Sequence, residues 1–256
     1  MIRGFLVSTC LMDIARPQRV LGWGLLMVLL FGVGRLYLYV SPEEPVADAY
    51  NQLSSLLVYR VLMLGAAIFS ASVIAQEVEQ KTIVYLATRP IPRPDLILSR
   101  MAAAMIAVAT LSLAAALSVS FSVYGREGLS NPYLLRDAKG LVVGSMAYVS
   151  LFTLTSLWMN RSMLVNLIFA FGWETIVANL SGNTYRLSIF TYLKAIAEKP
   201  TSSSGGPLSL LSGDRGVEFV SVSTAWGTMA VLTVACCWAC AWWFQRFAYL
   251  PREDAE

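Results

Sequence analysis

Six stretches of the chain are apolar and nearly free of charge, and each is long enough to cross a bilayer as a helix. A transmembrane helix needs about 20 largely apolar residues. The stretches are residues 20–40, 56–75, 96–124, 140–159, 162–180 and 220–244. Inside lipid, backbone N–H and C=O groups must bond to one another, so segments of this hydrophobicity form helices. The pattern predicts an all-α, polytopic membrane protein with a six-span transmembrane domain over residues 20–247.

Composition excludes the soluble classes of protein. Hydrophobic residues make up 57% of the 256 residues and charged residues only 14%, whereas about a quarter of a typical soluble domain is charged. A net charge of +3 is too small to indicate a nucleic-acid partner. The sequence contains no His, which excludes His-based catalysis and His-ligated metals. We interpret the cluster Cys236, Cys237 and Cys240 as packing residues of the last span, and predict no catalytic, metal or cofactor site in this chain.

The loop charges predict that both termini are cytosolic. With the N-terminus inside, the first outer loop, Ser41–Ser55, has no Lys or Arg but carries Glu43, Glu44 and Asp48. Basic residues favour the cytosolic side of a membrane. Residues 181–219 are then an outer loop and residues 248–256 a cytosolic tail. The first apolar run is too long for a cleavable signal, so we expect an uncleaved anchor.

Residues 1–19 precede the first span and have the pattern of a helix lying in the inner interface. Phe5, Leu6 and Met12 recur at helical spacing, and Arg16 and Arg19 follow them. Such a helix places its apolar side in lipid and its arginines near anionic headgroups. A cytosolic tail is the alternative.

The segment between spans two and three, residues 76–95, predicts a short cytosolic helix followed by a rigid turn. Glu77 and Lys81 form a favourable i,i+4 pair on a helix. Pro90, Pro92 and Pro94 then prevent the helix from continuing. Pro94 and Asp95 both suit the first turn of span three, where a fixed φ and a negative charge are favourable. A helix presented in this way suits a protein partner.

This segment resembles the signature of type-2 ATP-binding cassette (ABC) permeases. The run Glu77-Val78-Glu79-Gln80-Lys81-Thr82 is similar to E-x-E-x-[GK]-T, and Thr88-Arg89-Pro90-Ile91-Pro92-Arg93 is similar to [TS]-x-P-[VI]-[SP]-R. A second resemblance, in Trp173-Glu174, Leu187-Ser188 and Tyr192-Leu193, is to permeases of the copper-site-maturation and gliding-motility branch.

The resemblance implies a permease subunit of an ABC transporter in the bacterial inner membrane, with a fold like that of type V exporters. The N-terminal helix would be its elbow helix, and residues 76–95 would contain the coupling helix. The coupling residues would be Glu77, Glu79, Gln80, Lys81, Thr82, Arg89 and Arg93. The implied partners are two copies of a cytosolic ATPase, which bind ATP and Mg²⁺, and a second copy of this chain or a paired permease.

The absence of an ATP-binding motif agrees with the resemblance. The sequence has no G-x-x-x-x-G-K-[ST] phosphate loop, so this chain does not hold ATP in that way and is not expected to be an enzyme. The alternative function is a permease-like subunit that anchors, signals to or mechanically drives a periplasmic protein without moving solute.

Two charges lie inside predicted spans. Arg35 and Glu174 each lie roughly 8–9 Å below the outer end of their spans, at 1.5 Å per residue. Charges at that depth usually pair or face a cavity. Three interpretations of the two charges are open. They form a structural Arg35–Glu174 pair, or either has a role in a substrate path or a dimer interface, or Arg35 alone extends to the headgroups.

Two further patterns concern packing. Gly22-x-Gly24 and Gly32-x-Gly34 in span one, and Gly140-x-x-x-Gly144 in span four, predict close helix approach. Apolar residues recurring at helical spacing across residues 189–197 predict a short outer helix that covers the end of the bundle.

Overall fold

The computed structural model describes residues 17–42, 45–79, 93–159, 161–179, 186–199 and 220–246, and every regular element in these ranges is helical. The predicted elbow helix up to residue 16, residues 80–92 of the coupling segment and the tail from residue 247 lie outside the described residues. The α-helices are α1 Pro17–Val40, α2 Val46–Leu53, α3 Tyr59–Glu79, α4 Arg93–Tyr124, α5 Pro132–Trp158, α6 Ser162–Ile168, α7 Glu174–Asn179, α8 Ile189–Ile196 and α9 Val222–Arg246. Two π-helical segments, Ser54–Val58 and Phe169–Trp173, join α2 to α3 and α6 to α7, and a 3₁₀ turn, Gly125–Ser130, follows α4.

Five helical runs in the described residues are long and apolar enough to cross a membrane. They are Val20–Val40, Val46–Val73, Ile97–Ser130, Pro132–Trp158 and Val222–Arg246. The predicted fifth span corresponds to the shorter apolar run Ser162–Val177. The multi-pass helical fold is therefore as predicted, and the sixth crossing stays a prediction.

Spans two and four begin earlier than the charge pattern indicated. Span two was expected from residue 56 but its helical run begins at Val46, because α2 buries apolar residues against the bundle. Span four was expected from residue 140 but α5 begins at Pro132. The Asn131 side chain accepts a hydrogen bond from the Tyr133 N–H at 3.0 Å, and Pro132 occupies the first turn. This cap starts a helix upstream of Asp137, whose burial is described below.

The centre of the bundle is formed by α3, α4 and α5, which pack against one another. Helix α1 packs on α4, and α9 packs on α4 and α5. At the α1–α4 contact, Ser118 donates to the Met27 carbonyl at 2.8 Å and Ser122 to the Phe31 carbonyl at 2.7 Å. Hydroxyl-to-carbonyl bonds of this kind hold helices together where water is excluded.

Glycines permit close approach at some of the predicted positions and not at others. A Cβ on Gly144 would lie 2.7 Å from both Leu193 and Leu62, and one on Gly34 would lie 2.5 Å from Ser122. The close approach predicted at Gly140-x-x-x-Gly144 and at Gly34 is confirmed. At Gly22, Gly24 and Gly32 the prediction is wrong for the part of the chain that the structure describes, because no described atom lies within 4 Å of the added Cβ. These three glycines face away from the bundle.

Helices α1 and α9, at the periphery of the bundle, leave most of their apolar surface uncovered. On α1 the exposed side chains include Leu21, Leu25 and Val28, and on α9 they include Val231 and Trp238. In a bilayer such faces contact lipid or another chain.

Candidate functional site

The two helices that flank the predicted coupling segment, α3 and α4, come to the same end of the bundle. Helix α3 runs without a break to Glu79, and its last turn carries Glu77. Helix α4 begins at Arg93, with Pro94 and Asp95 in its first turn as predicted. We call this the Arg93 end. Here the Arg100 guanidinium of α4 donates to the Val73 carbonyl of α3 at 3.2 Å, which ties the two helices together.

Most predicted coupling residues lie outside the described part of the chain. Gln80, Lys81, Thr82 and Arg89 are not described, and for Glu77, Glu79 and Arg93 the structure describes the backbone but not the side chain. Their role in coupling stays a prediction.

The opposite end, where α5 begins and which we call the Pro132 end, holds a buried ion pair that the sequence analysis did not identify. Lys199 Nζ lies 3.2 Å from Asp137 Oδ1, and the two side chains are only 5% and 1% exposed. Lys199 also donates to Ser54 Oγ at 2.8 Å and lies over the Tyr59 ring. The other carboxylate oxygen, Asp137 Oδ2, accepts from the hydroxyls of Tyr50, at 3.0 Å, and Ser54. The network joins α2, the first π-helical segment, α5 and the residues after α8.

In the sequence, Asp137 and Lys199 each lie among other charged residues outside the predicted spans, a pattern that indicates a loop and not a buried pair. One sequence signal was available for Asp137. It is three residues before Gly140 and seven before Gly144, so all three share the helix face that packs closely against α8 and α3. A charge on a close-packed face requires a partner.

Glu174 caps α8 rather than pairing with Arg35. Its Oε2 accepts from the Ser188 hydroxyl at 2.6 Å and the Phe190 N–H at 3.3 Å, and its Oε1 accepts from the Ile189 N–H at 3.2 Å. The carboxylate thus satisfies donors at the N-terminus of α8, where the helix dipole also favours a negative charge. The side chain is fully buried.

The structure does not bring Arg35 and Glu174 together. Arg35 lies on the exposed side of α1, with its guanidinium 5.6 Å from the centre of the Phe31 ring. Helix α1 packs on α4, while the Glu174 oxygens are occupied at α8. The pair considered in the sequence analysis is therefore not formed within one chain. The position of Arg35 is the one expected of a side chain extending toward the headgroups.

Helix α8 is consequently held at both ends by buried charges. Glu174 binds its N-terminus, and the Asp137–Lys199 pair fixes the residues after its C-terminus. Between them, Leu193 packs on Gly144. The short helix predicted from the apolar stripe is confirmed over Ile189–Ile196. It is an integral part of the bundle rather than a loose cover, because almost all of its side chains are buried.

Comparison with known proteins identifies the family. No curated protein matches the chain. A family model described as ABC-2 family transporter protein matches residues 18–177, which is more than half of the chain. Members of this family are membrane permeases that carry no ATPase, so a separate ATPase subunit is implied. The chain belongs to the ABC-2 transporter family and is a membrane permease subunit of an ABC-2 type transporter.

Proposed function

We propose that this permease subunit forms a translocation path and is driven by a cytosolic ATPase through residues 76–95. The observation that carries the proposal is the arrangement of α3 and α4. Both are long continuous helices, and they end and begin at the same end of the bundle, at Glu79 and Arg93. A displacement of the connection between them would be transmitted along α3 and α4, which form the centre of the bundle together with α5.

The residues that we propose for contact with the ATPase are Glu77, Glu79, Gln80, Lys81, Thr82, Arg89 and Arg93. Both signs of charge are present within this short segment. Single exposed pairs contribute only about 0.2–1 kcal/mol each. Coupling would therefore depend on the segment as a whole, and reversal of several charges is needed to test it.

We further propose six spans with both termini cytosolic, which places the Arg93 end inside and α8 outside. The assembly would contain two copies of this chain, or this chain and a paired permease, with two ATPase subunits that bind ATP and Mg²⁺. The uncovered apolar faces of α1 and α9 offer surface for a second copy as well as for lipid. The copper-site-maturation and gliding-motility branch, with a fold like that of type V exporters, is proposed from Trp173-Glu174 and the residues of α8.

The test is reversal of both acidic residues at the end of α3. We expect Glu77→Lys with Glu79→Lys to abolish transport driven by ATP, or to uncouple it from hydrolysis, in vesicles that contain the permease and its ATPase. The matched control reverses Glu127 and Glu198, which changes the net charge equally but lies at the Pro132 end. Loss in the first variant with retention in the second supports the proposal.

Two results would contradict parts of the proposal. If the Glu77 and Glu79 reversal leaves ATPase assembly and transport unchanged, residues 76–95 are not the coupling segment. If the wild-type complex hydrolyses ATP but moves no solute in vesicles, the alternative applies, and the subunit anchors, signals to or drives a periplasmic protein.

A further inference from the structure

Arg60 is a charged residue inside a membrane-spanning helical run whose surroundings differ from those of the other buried charges. It is the second residue of α3 and lies within the apolar run Val46–Val73. At 1.5 Å per residue it is roughly 25 Å along the helix from Glu77. With Glu77 at the opposite membrane surface, as in the proposed function, and a hydrocarbon core about 30 Å thick, Arg60 lies just inside the leaflet at the Pro132 end. An ionisable residue at such a position indicates a functional site.

Among the described residues, the Arg60 guanidinium forms no ion pair as close as 4 Å. One N–H of its guanidinium donates to the Ala170 carbonyl at 3.4 Å, and the group lies 5.7 Å from the centre of the Phe171 ring. Glu174, in the same neighbouring segment, attracts Arg60 electrostatically, but its two oxygens bond to donors at the N-terminus of α8 and not to the guanidinium. A guanidinium has five N–H donors and one of those of Arg60 bonds to Ala170, so Arg60 retains donors for a further ligand. The side chain is also only partly buried.

An uncovered apolar strip leads from Arg60 along the neighbouring helix toward the bilayer centre. It consists of Phe171, Ile168 and Leu164, which are 42%, 71% and 56% exposed. They are spaced three and four residues apart, so they share one side of the helix. The strip extends roughly 10 Å from Phe171 toward the Arg93 end. The Arg60 cation, at the leaflet boundary, thus lies at one end of an apolar surface that is about half as long as an acyl chain.

We propose that Arg60 and the Phe171–Ile168–Leu164 strip bind an anionic phospholipid of the leaflet at the Pro132 end. Its phosphate would accept hydrogen bonds from the guanidinium, and an acyl chain would lie along the strip. Arginine suits this ligand because its planar donors match the geometry of a phosphate and because it is less strongly hydrated than lysine. Ala170 and Phe171 hold the guanidinium in place before the lipid arrives, which reduces the ordering that binding requires.

The experiment measures lipid binding to the purified full-length chain in a neutral detergent. Dioleoylphosphatidylglycerol, dioleoylphosphatidylcholine and inorganic phosphate are titrated separately, and the thermal midpoint and the lipids retained in native mass spectrometry are recorded. A ligand that binds the folded state raises the midpoint. We expect phosphatidylglycerol to raise it at lower concentrations than phosphatidylcholine, with little effect of inorganic phosphate.

The variants assign the effect to Arg60. We expect Arg60→Gln to weaken the apparent affinity for phosphatidylglycerol about tenfold, as loss of a charge-assisted hydrogen bond would, and Arg60→Lys to weaken it less. Arg136→Gln is the matched control, because Arg136 is an arginine at the same end of the bundle whose charge is already paired, with Glu198 at 3.5 Å. It should leave the affinity unchanged.

Several results would overturn the proposal. They are equal wild-type affinity for the two lipids, an equal effect of inorganic phosphate, and unchanged affinity in Arg60→Gln. The comparison of the two lipids needs no variant, so it holds even if Arg60→Gln does not fold. The Glu77 and Glu79 reversal should retain lipid binding. A chain that couples to the ATPase but shows no preference for phosphatidylglycerol would refute the lipid site alone.

Discussion

The Asp137–Lys199 pair gives a quantitative prediction about the stability of the bundle. Removing one partner of a buried ion pair typically costs about 3–5 kcal/mol, because the other charge remains buried and unpaired. The two partners differ here in what would remain. Without Lys199, Asp137 still accepts from the hydroxyls of Tyr50 and Ser54. Without Asp137, Lys199 retains the Ser54 oxygen and the face of the Tyr59 ring.

This difference predicts an order of effects. We expect Lys199→Met to lower the free energy of unfolding by about 3 kcal/mol and Asp137→Leu by about 5 kcal/mol, the two ends of the range for a broken buried pair. Met and Leu fill much of the volume of the side chains that they replace. The double variant leaves no buried charge at this site, so it should cost less than Asp137→Leu alone, and the two changes should be strongly non-additive.

The assay is equilibrium unfolding in mixed micelles, followed by circular dichroism as the fraction of denaturing detergent rises. The adjacent pair between Arg136 and Glu198 provides the control. It also joins α5 to the residues after α8, with a separation of 3.5 Å, but its side chains are 48% and 53% exposed. Arg136→Met should therefore cost no more than about 1 kcal/mol. Additive effects of the two buried changes, or a Lys199→Met cost no greater than that of Arg136→Met, would refute the reasoning.

Three further predictions concern the packing and orientation of the bundle. Glu174→Gln replaces an acceptor-only group at the N-terminus of α8 with an amide. We therefore expect the free energy of unfolding to fall by about 1–3 kcal/mol in the same assay. An unchanged free energy would show that the cap is dispensable. Gly144→Val should lower the free energy of unfolding by about 1–3 kcal/mol, because the added side chain overpacks the core. Gly22→Val adds its side chain in open space and should leave the core intact. Equal losses in the two variants would contradict the packing described. A cysteine introduced at Glu44 should react with an impermeant reagent in intact cells and one at Glu79 should not, and the reverse pattern would invert the topology.

Sequence alone determined the class of the protein and the identity of most of its helices. Long apolar runs such as Pro17–Val40 and Val222–Arg246 form helices wherever they lie in a bilayer, because each backbone group is satisfied within its own segment. Helix α8 was also predictable from its apolar spacing. These features depend on residues close together in the chain, which is why a linear pattern predicts them.

Only the tertiary structure decided which charges are buried and with which partners. Asp137 and Lys199 are far apart in the sequence, and each lies among charges that indicate a loop. Glu174 and Arg35 lie at the same predicted depth in their spans, yet Glu174 caps α8 and Arg35 lies exposed beside Phe31. A charge is costly inside a protein unless a partner or donor compensates it. That compensation comes from residues that meet only when the chain folds, so it is absent from the local pattern.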